Sequence, residues 1–318
     1  MLENSTADTY NDKLLHARLN KAALFAREFI AAYNPGLIDT MPNYIGEALT
    51  DFIADRIGED ITYIQWPELM PIEDRYRGIK PGLKAGYFKP GMLKVSLHNS
   101  KIEALADYTK LVTAAIDLRA GHSCPAADIC RGKIVNGRIE AGPRAIVKCF
   151  AVKLEAVYPN VYRAHEYNEN TLRAAVKSGQ AADILAAALA PFNLMRLHSS
   201  GDIFSIGYGE ALANAARAVS DTLIFGYTKF APALKINWPD NVKLQYSIGG
   251  VYDRAIDPAV TPSNFIVMPG DLTLKLTDNL ARAIVIHNGR LYSIPLQVNK
   301  FDDFNFIRAG VTFGITLH

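Results

Sequence analysis

Cysteine is scarce in this chain, with three in 318 residues, and an odd number cannot pair off completely as disulfides. A chain of this length needs no covalent staples to hold its core, so a reduced, cytoplasmic setting is expected. The opening MLENSTADTYNDKLLHARLN has no basic start, apolar run or small-residue cleavage site, so it does not read as a secretory signal. No stretch approaches the roughly 18 consecutive apolar residues of a membrane span, and no membrane partner is expected. No repeat of about 20 to 50 residues and no low-complexity tract occurs. Charge of one sign is also missing: 34 Lys and Arg face 32 Asp and Glu, and the net charge is only +2. Any electrostatic footprint therefore has to be local.

One is present. Residues 75–101 hold seven Lys or Arg and no Asp or Glu, interleaved with Tyr76, Tyr87 and Phe88. Arg75, Arg77, Lys80, Lys84 and Lys89 could follow a phosphate backbone while the rings stack on exposed bases. Gly78, Gly82, Gly86, Pro81 and Pro90 equally suit a solvated loop.

The apolar spacing of Leu15, Leu19, Ala22, Ala26 and Phe29 predicts an amphipathic helix over 11–33, and a second helix is predicted over 44–57. Beyond residue 90 the pattern alternates. Strands are predicted at 93–97, 113–118, 194–198, 222–227, 242–247, 265–268 and 283–287, with helices near 145–157, 168–190 and 207–219. Such alternation favours a parallel sheet wrapped by helices. A TIM-like (β/α) barrel with irregular or missing units is the first expectation, and an open doubly wound sheet the second. Residues 1–89 would then be a helical extension with a basic arm, and 90–318 the catalytic domain.

Several predicted strands end in polar residues, which is where such barrels place their active sites. Asn99, Asp117 and the run from His198 to Asp202 follow three of them; Lys229 follows another, with Tyr227 at its end. In LHSSGDIFS the small Ser200 and Gly201 would let the chain turn and present Asp202 as nucleophile, base or ligand. A helix cap is the plainer role for Asp202. Gly249, within SIGG, would allow close backbone approach to a ligand. Asp302 and Asp303 are adjacent, and on a strand they would point to opposite faces.

Cys124 and Cys130 are separated by five residues, and Cys149 follows after eighteen more. This is no zinc-finger spacing. Thiolates select zinc or iron–sulfur clusters, and structural zinc wants a fourth ligand, often histidine. His198 is the first choice; His122 and His165 are rivals. A [4Fe–4S] cluster on three cysteines with an open iron is the alternative, and buried apolar cysteines are the plainest reading.

The order of motifs resembles the phage gene-product-eighty-eight family and, more loosely, the phage DpdA proteins. It runs AGHSCPAADIC, KCFAVKLEAVYPNVYRAHEYN, RLHSSGDIFS, IFGYTK, SIGG and DDFNFIRAGVTFGI, over roughly residues 90–318. DpdA proteins are similar to tRNA-guanine transglycosylases. The resemblance implies a (β/α) barrel that exchanges guanine in DNA for a free 7-deazaguanine base, protecting phage DNA from restriction in the host cytoplasm. It also implies zinc held by three cysteines and a histidine, although the compact CxCxxC motif of the tRNA enzymes is absent here. Asp202 would attack the sugar C1′, and Asp117 would handle the proton of the departing or incoming base. The target nucleotide must leave the duplex stack for that attack. An iron–sulfur redox or radical enzyme and a noncatalytic zinc-containing nucleic-acid-binding protein are the competing expectations.

Overall fold

The computed structural model describes residues 17–19, 22, 26, 29, 30, 38, 40–83, 92–146, 149–268 and 271–316. The chain forms two compact units, one of Met70–Ile256 and one of Met1–Leu69 with Asp257–His318. The boundaries of these units fall at 69/70 and 256/257. The reason is packing: Leu19, Ala22, Ala26 and Ile38 share a core with Leu272, Leu274, Ile284 and Leu291, so the N-terminal helical residues complete the unit built by the C-terminal strands. Of the helix predicted over 11–33, residues 17–19, 22, 26, 29 and 30 are helical and the rest lies outside the described residues.

In that split unit, helix α1 (Pro42–Ile57) opens on a proline in its first turn and buries Ile45, Leu49, Ile53 and Ile57, one face at four-residue spacing. Gly58, left-handed at φ 70°, ends it, and strand β1 (Ile61–Tyr63) follows.

The second unit carries β2 (Val95–Ser96), α2 (Ser100–Thr109), β3 (Thr113–Ile116), β4 (Gly132–Val135), β5 (Arg138–Ala141), α3 (Phe150–Val157), α4 (Pro159–Ser178), α5 (Ala181–Leu189), β6 (Leu194–Leu197), α6 (Ile206–Ala218), β7 (Leu223–Thr228) and β8 (Val242–Ser247). The helix predicted over 168–190 is two helices, because Gly179 takes φ 77° and caps the first. Strands β3, β6, β7 and β8 are parallel neighbours in that order, with β2 antiparallel on β3. Leu172, Leu185, Leu189, Tyr208 and Leu212 from the helices pack on Ile116, Met195, Leu197 and Ile224 from the strands. β3 and β6 are buried at every position, and apart from Thr113 and Arg196 their residues are apolar.

The chain returns to the first unit with β9 (Ser263–Val267), β10 (Leu272–Lys275), β11 (Ala281–His287), β12 (Arg290–Leu296), α7 (Asp302–Ala309) and β13 (Phe313–Thr316). There β10–β11–β12 is an antiparallel meander, β1 and β13 each pair in parallel with β12, and β9 pairs in parallel with β13. Asp302 and Asp303 lie in the first turn of α7, not on a strand. The fold is mixed α/β with mostly parallel pairing in the second unit. Among the described residues the strands close no barrel.

Two hairpins are marked by Asn-Gly pairs; of their four strands the apolar pattern predicts only β11, at 283–287. Asn136 and Gly137 join β4 to β5 with φ 50° and 73°, and Asn288 and Gly289 join β11 to β12 with the same values. Both central residues at positive φ make a two-residue primed turn, the kind whose twist matches the flanking strands.

Candidate functional site

The parallel strands of the second unit release their chains at one edge, and four loops meet there. After β6, His198 takes φ 55° and Gly201 φ 88°. A left-handed histidine is a strained position. At Gly201 no side chain fits, since a Cβ would lie 2.5 Å from Ser123 Oγ and 2.7 Å from Leu118 Cβ. The tight turn delivers Asp202 to the ends of β7 and β8.

Asp202 is 4 % exposed. Its Oδ1 accepts from Ile203 N at 2.6 Å and Thr228 Oγ1 at 2.7 Å, and its Oδ2 accepts from Lys229 N at 2.9 Å. Burial pushes its pKa up to about 6, against the pull of those donors and of the Lys229 charge. Asp202 is not the cap of the following helix: Ser205 caps α6, accepting from Tyr208 N. Three donors fill three of the roughly four acceptor positions of a carboxylate and leave one on Oδ2.

A second buried group lies between β3 and α4. Glu155, 1 % exposed on α3, accepts at Oε1 from Ala120 N at 2.9 Å, Ser200 Oγ at 2.7 Å and His165 Nδ1 at 2.8 Å. Its other oxygen, Oε2, is buried with no hydrogen-bond partner among the described residues. His165 Nε2 stands 4.0 Å from Asp117 Oδ2, and Asp117 accepts from Ser200 N and Ser96 Oγ. His165 thus lies between two buried carboxyl groups with the Ser200 hydroxyl on one of them. Such buried charges demand mutual pairing. Nothing in the sequence pattern marks Glu155, which sits on the same face of α3 as Val152.

The three cysteines are free thiols. Cys124 accepts from Gly121 N at 3.4 Å. Burial, then the charge of Asp202, holds its thiol well above the usual range, and the other two cysteines raise it further. Cys149 stands at the N-terminus of α3; burial raises its thiol while the N–H groups of Val152 and Ala151 pull it down. All three thiols therefore lie within electrostatic reach of one another, and Cys124 within reach of Asp202.

Zinc on these cysteines and His198 does not fit. Among the described residues no three His, Cys, Asp or Glu side chains are gathered to hold an ion. His198 Nε2 pairs instead with the Tyr208 hydroxyl at 2.9 Å, its Nδ1 is buried without a partner among the described residues, and burial lowers its pKa to about 3. The rivals are also engaged: His165 with Glu155, and His122 Nε2 at 3.1 Å from Ile134 O.

Residues 92–290, more than half of the chain, match the family model described as gene product 88. The chain belongs to the gene product 88 family. No curated protein and no solved structure matches it.

In this gene product 88 chain the other residues expected at the site have structural occupations. Asn99 caps α2 by accepting from Lys101 N and Ile102 N. The Lys229 ammonium donates to Ser247 O, Ser247 Oγ and Ile248 O, and so ties the end of β7 to the end of β8. Tyr227 lies on β7 with the Arg196 guanidinium 5.9 Å from its ring. Gly249, at φ 105°, accepts from Asp128 N and Ile129 N and so fastens the cysteine-bearing loop to the end of β8. Ser200 N donates to Asp117 Oδ1 at 3.1 Å, and Gly201 precedes Asp202 in the turn.

Three cations of the basic segment have local partners. Arg75 pairs with Glu73 at 2.7 Å, Arg77 donates to Ile72 O, and Lys80 pairs with Asp221 at 2.5 Å and is nearly buried. Lys84 and Lys89 lie outside the described residues. Among the described residues no helix is long and apolar enough to cross a membrane.

Proposed function

We propose that this gene product 88 chain is a base-exchange enzyme acting on DNA, a transglycosylase that replaces guanine with a 7-deazaguanine base. The parallel strands β3, β6, β7 and β8 would act as an arc of a (β/α) barrel. The observation that carries the reading is Asp202: a desolvated carboxylate at the strand C-termini, fixed by three donors, with one acceptor position left. Desolvation raises its nucleophilicity, and a pKa of about 6 leaves it ionised at neutral pH.

In the proposed reaction, Oδ2 of Asp202 bonds to C1′ as the bond from C1′ to guanine N9 breaks. The electron pair leaves with guanine, which takes up a proton. The incoming base then loses a proton from its ring nitrogen, bonds to C1′ and releases the carboxylate. Asp117, His165 and Glu155 would hold and return that proton, with His165 as carrier between the two acids. The resemblance in motif order supports the substrate class. Zinc has no step in this scheme.

A direct test is exchange of labelled guanine into and out of duplex DNA, together with trapping of a DNA adduct on Asp202. Full exchange by Asp202→Asn overturns the nucleophile.

A second reading takes the three free thiols as ligands: Cys124, Cys130 and Cys149 would come together on an iron–sulfur cluster. Iron, sulfide and visible absorbance in anaerobically purified protein would support it; a colourless protein without iron overturns it.

A further inference from the structure

We infer that the β4–β5 hairpin, with helix α3 packed beside it, is a duplex-DNA-binding ribbon that presents the nucleic acid to the Asp202 edge. The inference rests on the proposed DNA substrate but assigns a surface that the basic segment at 75–101 was expected to supply. The hairpin is inserted between Cys130 and Cys149. From 131 to 163 the chain carries seven Lys and Arg against Glu140 and Glu155, and Glu155 points inward. Arg131, Lys133 and Arg138 are exposed and form no ion pair among the described residues; Arg144 alone is committed, to Asp128 at 2.9 Å. Lys133 faces Glu140 across the ladder.

Every residue of β5 is exposed. A two-stranded ribbon of this kind is marginal in water unless something holds it. Here the hold is one-sided: Gly142 N donates to Arg131 O at 2.7 Å and extends the ladder by a rung, and His122 Nε2, in the preceding loop, sits 3.1 Å from Ile134 O. A Cβ on Gly121 would fall 1.8 Å from Gly132 O. The ribbon is thereby anchored to the loop of Gly121 to Cys124, and Ser123 of that loop packs against Gly201, the residue before Asp202. A cleft of about 530 Å³ opens between them, lined by His122, Arg131, Lys133 and Glu140.

Charge complementarity and shape name the occupant. Strands of four residues span about 13 Å, and the major groove of B-form DNA, about 12 Å wide, admits a two-stranded ribbon. The A-form groove of duplex RNA is too deep and narrow to be read this way. Near the ribbon, Ile139 is 49 % exposed and Ile146 and Phe150 are each 71 % exposed, which gives apolar contact for sugars and thymine methyls.

The test is binding of a labelled DNA duplex to the full chain, by fluorescence anisotropy between 50 and 200 mM salt, for wild type and for Arg131→Ala/Lys133→Ala/Arg138→Ala. The expected result is a more than tenfold loss of affinity, with the slope of log affinity against log salt reduced by about 2 to 3. Single Arg131→Glu and Arg138→Glu variants with unchanged thermal melting guard against a folding defect. Unchanged affinity and slope in all variants overturn the inference, as does tighter binding of duplex RNA than of DNA. A wild-type chain that binds no duplex overturns both this inference and the functional proposal. Normal binding that depends on the ribbon, without any base exchange, sinks the functional proposal alone.

Discussion

The two units bury charge in opposite ways. In the split unit Arg282 is fully buried with no carboxylate among its hydrogen-bond partners. Its Nε donates to Ser293 Oγ, its Nη2 to Ile64 O and Ser293 O, and its guanidinium lies 4.1 Å from the Tyr63 ring centre. Burial lowers its pKa to about 10, and it stays a cation at neutral pH. In the other unit the buried charges are acids: Asp117, Glu155 and Asp202, with His165 between the first two. A cation held by carbonyls and a ring face has one arrangement and no proton to exchange. Carboxyl groups around a histidine are the residue types that general acid–base chemistry uses.

The comparison breaks most sharply at Asp202. Asp202→Asn should lower base exchange by at least about 10³-fold in a labelled-guanine assay, because a neutral amide cannot form the covalent intermediate. Arg282→Met should leave exchange per folded molecule untouched while costing about 3 kcal/mol in urea unfolding, since the Ile64 and Ser293 acceptors lose a charged donor. A variant that loses activity without losing stability would erase the contrast between the units. Glu155→Gln sits between these: exchange should fall about 10²-fold, with the pH profile altered, as proton handling by His165 fails.

The smallest effects sharpen the contrast within the acidic site. Asp202 is raised from 3.8 to about 6 in the folded chain, so the native state holds more protons than the unfolded one across that window and stability falls as pH rises from about 4 to 6. His198 is lowered from 6.5 to about 3, so its contribution is present above about 6.5 and is lost as pH falls toward 3. The two oppose each other between pH 4 and 6. Urea unfolding of His198→Gln should therefore show stability declining with pH over that range, and Asp202→Asn should show it climbing. Identical pH dependence in both variants and wild type would mean that neither group is buried as described. The exchange rate itself should rise with an apparent pKa near 6.

Much of the second unit is legible in the sequence, and the reason is burial on both faces. β6 and β8 appear within a residue of their expected bounds: β6 is buried at every position and mostly apolar, and β8 alternates Val242, Leu244 and Tyr246 with polar residues, the period of a strand. The polar residues just beyond them, Ser200 to Asp202, stand at the shared edge for the same reason. Hairpins built on exposed strands give no apolar run; β5 is wholly exposed, and only the Asn136–Gly137 turn betrays it. Glu155 is illegible because its partners, Ala120, Ser200 and His165, are brought to it by tertiary packing from 35, 45 and 10 residues away. His198 at a strand end looks like a ligand on the page, yet its strained backbone turns the ring onto Tyr208.

The hairpin also bears on how such a protein diversifies. Its two ends, Gly132 and Ala141, lie opposite each other in the ladder, so the excursion between them leaves and rejoins the molecule at nearly one point. Residues can be added or removed at the Asn136–Gly137 tip in pairs without moving Cys130, Cys149 or the carboxylates behind them. Reach and charge at the surface are free to drift while the chemistry underneath is held still, an interchangeable tool-head on a fixed shank.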